Sequence, residues 1–373
     1  MQRQFLALIL IAAIPLMADA ASKPGLSPAS YCVHDIGRLP ELPVSGTYVT
    51  PSAINDRNQV VGTISNSSVG RAQAFIWDGA GGMRTLGVLP GDDTANANDI
   101  NGAGQVVGSS GNFETGAQRS FLWDEQNGIR ELDVSLGGSR SAATGINRFG
   151  EIVGSSSIGD DEGIEHAFIR DRHGDVFDLG TLSEVNPTTA ATALNDSGKV
   201  VGADSGSTFS QAFIGDERHG LRPLGQPDAT SVLPHAINKK KQVVGLMLPP
   251  DRMRAFLWTK SDGLQDLGSL GAKETDAAEA HDINRWGTVV GWSQTAEGTN
   301  RGFVWNKRSG MRDLGELIDP TSSLSPFAIL GAARAINDLG WIVVEGRDSG
   351  DTAEGSRTYL LEPRLRAGSP RCP

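Results

Sequence analysis

Ala236-Ile237-Asn238-Lys239-Lys240-Lys241-Gln242-Val243-Val244-Gly245 decides the fold, because its pattern returns seven times along the chain. Small and apolar residues lead into Asn, two or three turn-forming residues follow, and a β-branched pair and Gly close the unit. The Asn positions are Asn55, Asn101, Asn147, Asn195, Asn238, Asn284 and Asn337. Successive copies lie 46, 46, 48, 43, 46 and 53 residues apart. That period is expected when each repeat is one four-stranded propeller blade and not a helical pair.

Three signals recur in fixed order, and each reads as a strand. The residue before Asn ends a short strand, and Asn opens a tight turn by bonding its own backbone two residues on. A β-branched pair such as Val60-Val61 or Val243-Val244 then begins the partner strand. Next comes small-aromatic-apolar-Trp, as in Ala74-Phe75-Ile76-Trp77, Ser120-Phe121-Leu122-Trp123, Ala255-Phe256-Leu257-Trp258 and Gly302-Phe303-Val304-Trp305. Alternation puts Phe75 and Trp77 on one face and Ile76 on the other, so both faces are apolar, as a sheet between neighbouring blades requires. The third signal is a short strand ending in Leu-Gly, as in Asp178-Leu179-Gly180 and Asp266-Leu267-Gly268.

Only six Leu-Gly strands follow the Asn motifs, and the seventh repeat stops at Thr358-Tyr359-Leu360-Leu361. The missing copy stands at the front, in Tyr31-Cys32-Val33-His34-Asp35-Ile36-Gly37. The two defects are complementary: an all-β, seven-bladed propeller is closed by pairing of the N-terminal strand with the last blade, and closure removes the exposed sheet edges of an open array. One propeller domain is assigned to 31–361, with a tail at 362–373.

Residues 1–20 are of another kind. Arg3 precedes an apolar run from Phe5 to Met17, and Ala18-Asp19-Ala20 offers small residues at a cleavage site. This reads as a signal peptide, followed by a disordered mature N-terminus at 21–30. The apolar run is too short for a membrane span and nothing later approaches about 20 apolar residues. The mature protein is therefore expected to be soluble, monomeric and exported, periplasmic or extracellular, with no membrane span after signal cleavage. Cys32 and Cys372 are the only cysteines of the chain. In an oxidising compartment an even pair reads as a disulfide, and ring closure brings the two ends together. A net charge of −11 without a basic stripe argues against nucleic acid and anionic lipid as partners.

The three motifs in register resemble the bacterial extracellular HAF-repeat family, named for a tripeptide present here as His166-Ala167-Phe168. The resemblance covers about residues 31–361 and implies a secreted or surface protein. It implies no activity and no catalytic residues. Departures from the pattern are the loss of Trp in blades three and four (Arg170, Gly215), Asp133 for Gly, and Val344 for Gly in blade seven. They put local strand geometry in question, not the ring.

Loop length selects a working face. The turns after Asn and after Trp are short, while Thr63–Gln73, Ser109–Arg119, Ser155–His166, Arg347–Arg357, Val88–Asn98, Gln226–His235 and Glu316–Arg334 read as long connections that emerge together at one mouth of the channel. That face is the expected binding surface for an extracellular glycan or protein. Its carboxylates, Asp92-Asp93, Asp160-Asp161-Glu162, Glu274 with Asp276 and Asp348 with Asp351, could ligate calcium, although none has EF-hand spacing. No other cofactor is expected. Phe327-Ala328-Ile329-Leu330 reads as a lid over the mouth, a partner contact or a plug between blades. The seven Asn would form a ring on the opposite face, read as turn chemistry alone.

No zinc-ligand spacing, nucleophile elbow or phosphate loop occurs, so no catalytic residue is assigned and the chain is read as a binding module. The alternative is a hydrolase or lyase on the same face, for which His235 and His281, three residues before their Asn, are the candidate general bases. A cluster of His, Tyr or Arg with two carboxylates at the mouth would favour that alternative. Tyr31, Tyr48 and Tyr359 are the only tyrosines, which weighs against a Tyr-dependent polysaccharide lyase.

Overall fold

Each repeat becomes a sheet because its two central strands are apolar on both sides, and neither side can face water. The aromatic residues Phe75, Phe121, Phe168, Phe213, Phe256 and Phe303 are all 0 % exposed. Phe75 and Trp77 pack with Val343 and Leu360 of the last blade. Ala74, Ile76 and Val61 pack with Ala95, Ala97 and Val106 of the next. The computed structural model describes residues 30–37, 39, 46–66, 71–159, 161–183, 188–205, 209–225, 230–271, 276–322, 328–348, 356–364 and 372.

These residues form seven four-stranded antiparallel sheets. The innermost strands are Thr47–Ile54, Thr94–Ile100, Gly137–Ile146, Thr189–Leu194, Ser231–Ile237, Ala278–Ile283 and Ala328–Ile336. They neighbour one another around the axis and wall the channel. Sequence spacing and order in the sheets agree with the expected blade.

Closure occurs as expected. The strand Ser30–Asp35 is the outer strand of blade seven and pairs with Arg357–Arg364, with Val33 opposite Leu361 and Asp35 opposite Tyr359. Cys32 and Cys372 are disulfide-bonded, 340 residues apart. The last strand runs to Arg364, past the expected domain end at 361. The expected signal peptide at 1–20 and residues 21–29 lie outside the described residues.

One expectation is corrected and one choice among alternatives is decided. The connections are shorter than the sequence suggests, because polar and small residues continue the strands: Val60–Asn66 and Ala72–Asp78 enter the first long loop, and Ile152–Ile158 and Asp161–Arg170 nearly close the third. Of the three readings of residues 327–330 the plug between blades is the one that fits, since Ala328 to Leu330 begins the inner strand of blade seven and Leu330 is buried in the core between blades six and seven. Phe327 lies outside the described residues.

The unusual Val344 keeps its strand pairing, opposite Ala333 and Tyr359. In blades one, two, four and six the aromatic ring lies on the repeat Gly, as where a Cβ on Gly62 would come 2.9 Å from Phe75. In blade seven Tyr359 lies on Gly346 instead, where a Cβ would come 2.6 Å from its ring. A second irregularity between Leu330 and Ala332 accompanies the shift.

Candidate functional site

A closed ring of hydrogen bonds and a second ring of positions, bonded between blades at Asn98, Thr144, Thr192, His235 and His281, stitch the inner strands together, and they determine which side chains are left for chemistry. The first ring is built by the repeat Asn. Asn55 Oδ1 accepts from the N–H of Arg57 and of Gln59, each at 3.0 Å, which is the expected turn. Its Nδ2 also donates to the carbonyl oxygen of Asn101 at 3.1 Å. The same bond passes from blade to blade and returns from Asn337 to Asn55. The reading of these Asn as turn chemistry alone is therefore corrected: they also join adjacent blades. They are buried and bonded at both ends, so they offer no ring of free amides to a ligand.

The mouth beside this ring is a depression of about 480 Å³, rimmed by Asp56, Arg148, Asp196, Lys239, Arg285 and Asp338. Its charges compensate one another, with Arg148 and Lys239 on Asp196 at 3.5 and 3.1 Å and Arg285 on Asp338 at 3.5 Å.

The second ring lies three residues before each Asn, where every inner strand carries a β-bulge. A bulge re-aims the extra side chain. Asn98, Thr144 and Thr192 use it to donate to the carbonyls of Ala143, Ala191 and Pro234 at 2.7, 2.8 and 2.8 Å. His235 and His281 occupy the same position and bond the carbonyls of Ala280 and Ala333 through Nδ1 at 3.0 and 2.8 Å. A carbonyl only accepts, so the proton sits on Nδ1 in both rings, and Nε2 of neutral His235 carries a lone pair.

Glu279 stands between the two imidazoles. Its Oε1 is 3.6 Å from His235 Nδ1 and 3.7 Å from His281 Nε2, and its Oε2 accepts the Trp292 indole N–H at 2.8 Å. Burial raises its pKa, but the bonds and charge of His281, the Trp292 indole and His235 outweigh it and hold the carboxyl at about 2. Burial, aided by the charges of His281 and Arg334, lowers the His235 pKa against the opposing Ala280 bond and Glu279 charge. Arg334, the bulge residue of blade seven, pairs with Glu345 at 2.9 Å. Trp292, Arg334 and Glu345 line a groove of about 730 Å³ with Gln294, Asn300 and Ser356, on the loop-rich face between blades six and seven. His235, His281, Arg334 and the carboxylates of Glu279 and Glu345 thus gather at that mouth, the arrangement named above as favouring a hydrolase or lyase.

Deeper in the channel wall, Asp99 and Asp282 replace the Ala or Gly that other blades carry two residues before Asn. Asp99 bridges the N–H of Ile100 and of Ile146 in the next blade, each at 2.8 Å. Asp282 does the same for Ile283 and Ile336 at 2.7 and 2.8 Å. Both are enclosed by protein yet keep some surface open to the channel. Burial raises them to about 7 and about 6 despite these bonds.

Among the described residues the loop carboxylates do not converge. Asp92 pairs with Arg119 at 2.9 Å and Asp93 with Arg71 at 3.6 Å. Asp160, Glu274 and Asp351 lie outside the described residues. Among the described residues no group of three His, Cys, Asp or Glu side chains is arranged to hold a metal ion. His34 and His166 pair with Glu362 and Asp178, and His219 with Asp216, all apart from the channel cluster. Sequence reasoning found His235 and His281 but missed Glu279, Trp292, Arg334 and Glu345. Aligning the repeats five residues before Asn would have exposed Glu279, since Thr50, Asn96, Ala142, Ala190, Leu233 and Ala332 stand there elsewhere.

No helix among the described residues is long and apolar enough to cross a membrane. No family model matches the chain, and no curated protein matches it. Among solved structures, virginiamycin B lyase from Staphylococcus aureus superposes with a TM-score of 0.53 at 12 % identity, over 89 % of this chain and 99 % of that one. A puromycin hydrolase gives 0.56 at 12 % identity over 86 % of this chain and 53 % of its own. A prolyl endopeptidase gives 0.53 at 11 % identity, over 91 % and 51 %. At these identities the likeness shows the propeller fold alone, and this chain spans about half the length of the last two.

Proposed function

We propose that the chain is an exported recognition module whose loop-rich mouth, over blades five to seven, binds an extracellular polar ligand, with a neutral glycan as the best-fitting class. The observation that carries the reading is the groove where a half-buried Trp292, fixed by Glu279, adjoins the Arg334–Glu345 pair. An aromatic ring held by its N–H presents a rigid apolar surface to a sugar, and a paired guanidinium and carboxylate supply donors and acceptors for hydroxyls. Because the charges of this pair balance, a neutral ligand meets no unpaired charge. The disulfide between Cys32 and Cys372 supports an oxidising compartment, in keeping with the apolar leader and the HAF-repeat resemblance.

Glycan-array binding of residues 21–373, with and without calcium, tests the reading. Retention of neutral glycans that falls at least about tenfold in Trp292→Ala supports it. Blank arrays, or binding indifferent to Trp292→Ala, overturn it, and a calcium-dependent thermal shift would assign a metal to the loop carboxylates.

A second reading, a hydrolase or lyase at the same mouth, is favoured by the lone pair on His235 Nε2 beside Glu279 and Arg334, the arrangement a general base requires. Incubating retained glycans with the protein and measuring product release separates the two.

A further inference from the structure

The residue after each repeat Asn stands on the rim of the depression at the short-turn mouth: Asp56, Gly102, Arg148, Asp196, Lys239, Arg285 and Asp338, from blade one to blade seven. Their charges sum to zero but are unevenly placed. On blades three to five, Arg148 and Lys239 share the single carboxylate of Asp196, at 3.5 and 3.1 Å. On blades six, seven and one, the single guanidinium of Arg285 lies 3.5 Å from Asp338, and Asp56 adds a second carboxylate by accepting the Asp338 N–H at 2.9 Å. Burial first, and then the charge of Asp56, raise the Asp338 carboxyl against the Arg285 N–H bond and the charges of Arg285 and Lys239. Asp56 pairs with no cation among the described residues, since Arg57 beside it reaches the Ala103 carbonyl at 3.3 Å. One arc of the rim therefore holds a surplus positive charge and the other a surplus negative one.

The two arcs meet at blade two, where the rim residue is Gly102. A Cβ added there would touch nothing within 4 Å, and the backbone is in a conformation open to any residue, so the rim is notched by a missing side chain. Asp56 and Arg148 flank the notch. Arg148 meets Asp196 through Nε and stacks 4.5 Å over Phe149, while its terminal nitrogens make no bond among the described residues. Below them the floor is aliphatic, with Ile54, Ile100 and Ile146 contributed by the same three blades.

This arrangement selects the charge of an occupant. A simple anion drawn to Arg148 is repelled by Asp56, and a simple cation drawn to Asp56 is repelled by Arg148. A molecule that carries both charges satisfies both flanks and leaves every existing pair intact. The free N–H groups of a guanidinium donate to a carboxylate, and the Asp56 carboxylate accepts from an ammonium. An aliphatic group between the two charges covers the isoleucine floor. Because the flanking groups are exposed, salt screens them, and the site discriminates more than it holds.

We propose that the short-turn mouth binds a small zwitterion, a free amino acid with an aliphatic side chain, in the notch at blade two, with its ammonium on Asp56, its carboxylate on Arg148 and its side chain over Ile54, Ile100 and Ile146. The site lies at the other end of the channel from the groove proposed for glycans and shares no residue with it.

Leucine is the direct probe, with leucinamide and N-acetyl-leucine as its cation-only and anion-only counterparts. Calorimetric titration of the full chain at low salt is expected to give saturable one-to-one binding of leucine, weaker by about tenfold or more for either counterpart. Asp56→Asn, which keeps an acceptor for the Asp338 N–H, and Arg148→Gln should each weaken leucine about tenfold. Gly102→Lys should do the same at an unchanged melting temperature, because it fills open space and sets a cation beside Asp56 as Lys239 stands beside Asp196 of its own preceding blade. Trp292→Ala should leave leucine binding as it is. Absence of saturable binding, equal binding of a single-charge counterpart, leucine affinity retained in Asp56→Asn or in Gly102→Lys, or binding lost on Trp292→Ala would overturn the proposal, and none of these results bears on glycan recognition at the other mouth.

Discussion

Asn337 donates through Nδ2 to the carbonyl oxygen of Asn55 at 3.0 Å, a bond between residues 282 positions apart. Six equivalent bonds precede it around the channel, so the ring closes twice, once through the outer strand of blade seven and once at its innermost edge. Asn337→Ala would leave the buried Asn55 carbonyl without this donor and remove the acceptor for the N–H groups of Leu339 and Trp341. Urea denaturation should show a loss of about 2–3 kcal/mol, the worth of these three lost hydrogen bonds, since the Asn55 carbonyl keeps the Asn58 N–H. Asn101→Ala should lose a similar amount, because its bonds are the same. A loss below about 0.5 kcal/mol in both would mean the ring is dispensable.

The covalent latch acts on the other closure. The cross-link between Cys32 and Cys372 encloses nearly the whole domain, yet the strand it anchors is also held by its ladder to Arg357–Arg364 and by Tyr31, 1 % exposed. Cys32→Ser should therefore keep the β-sheet circular dichroism of the parent and lower its stability by about 2–5 kcal/mol. A denaturation midpoint unmoved by reductant would contradict this.

Why was the ring legible and the site only in part? The repeat period, the β-branched pairs and the complementary ends are local patterns that each specify the same sheet. Cys32 and Cys372 could be paired on that topology alone. Glu279, Trp292, Arg334 and Glu345 come from four strands of two blades, and only cross-strand register, with a bulge at Arg334, turns them toward one another. The role of the repeat Asn was under-read for a related reason: its turn bonds are local and visible in sequence, whereas its bond to the next blade exists only after the ring forms.

Asp99 gives a pH signature. Its carboxyl is raised from the ordinary 3.8 to about 7, by burial first and by the charge of Asp282 last, against the N–H bonds of Ile146 and Ile100. A raised folded-state pKa means the native protein holds the proton more tightly, so this stabilisation is full below about pH 4 and is lost as pH rises through about 7. Between about pH 5 and about pH 8 the parent should lose about 2 kcal/mol relative to Asp99→Ala, which carries the residue found in blades one, four, five and seven. Parallel stability profiles for the two proteins would show that Asp99 does not titrate in this range.

Threonine at position 144 or 192 makes the same interblade bond that His235 makes, at 2.8 Å in each case, without a second nitrogen. His235→Thr therefore separates scaffold from chemistry. The bond to the Ala280 carbonyl can be remade by the hydroxyl, so thermal unfolding should stay within about 1 kcal/mol of the parent. If the mouth only recognises its ligand, affinity should change little, because Trp292, Arg334 and Glu345 line the groove and His235 does not. If the mouth is catalytic, product release should fall about 100-fold or more at unchanged affinity, since the lone pair on Nε2 is the one base the substitution removes. Full turnover in a stably folded His235→Thr protein would exclude His235 as that base, and a large loss of stability would show that the imidazole does more for the inner ring than a hydroxyl can.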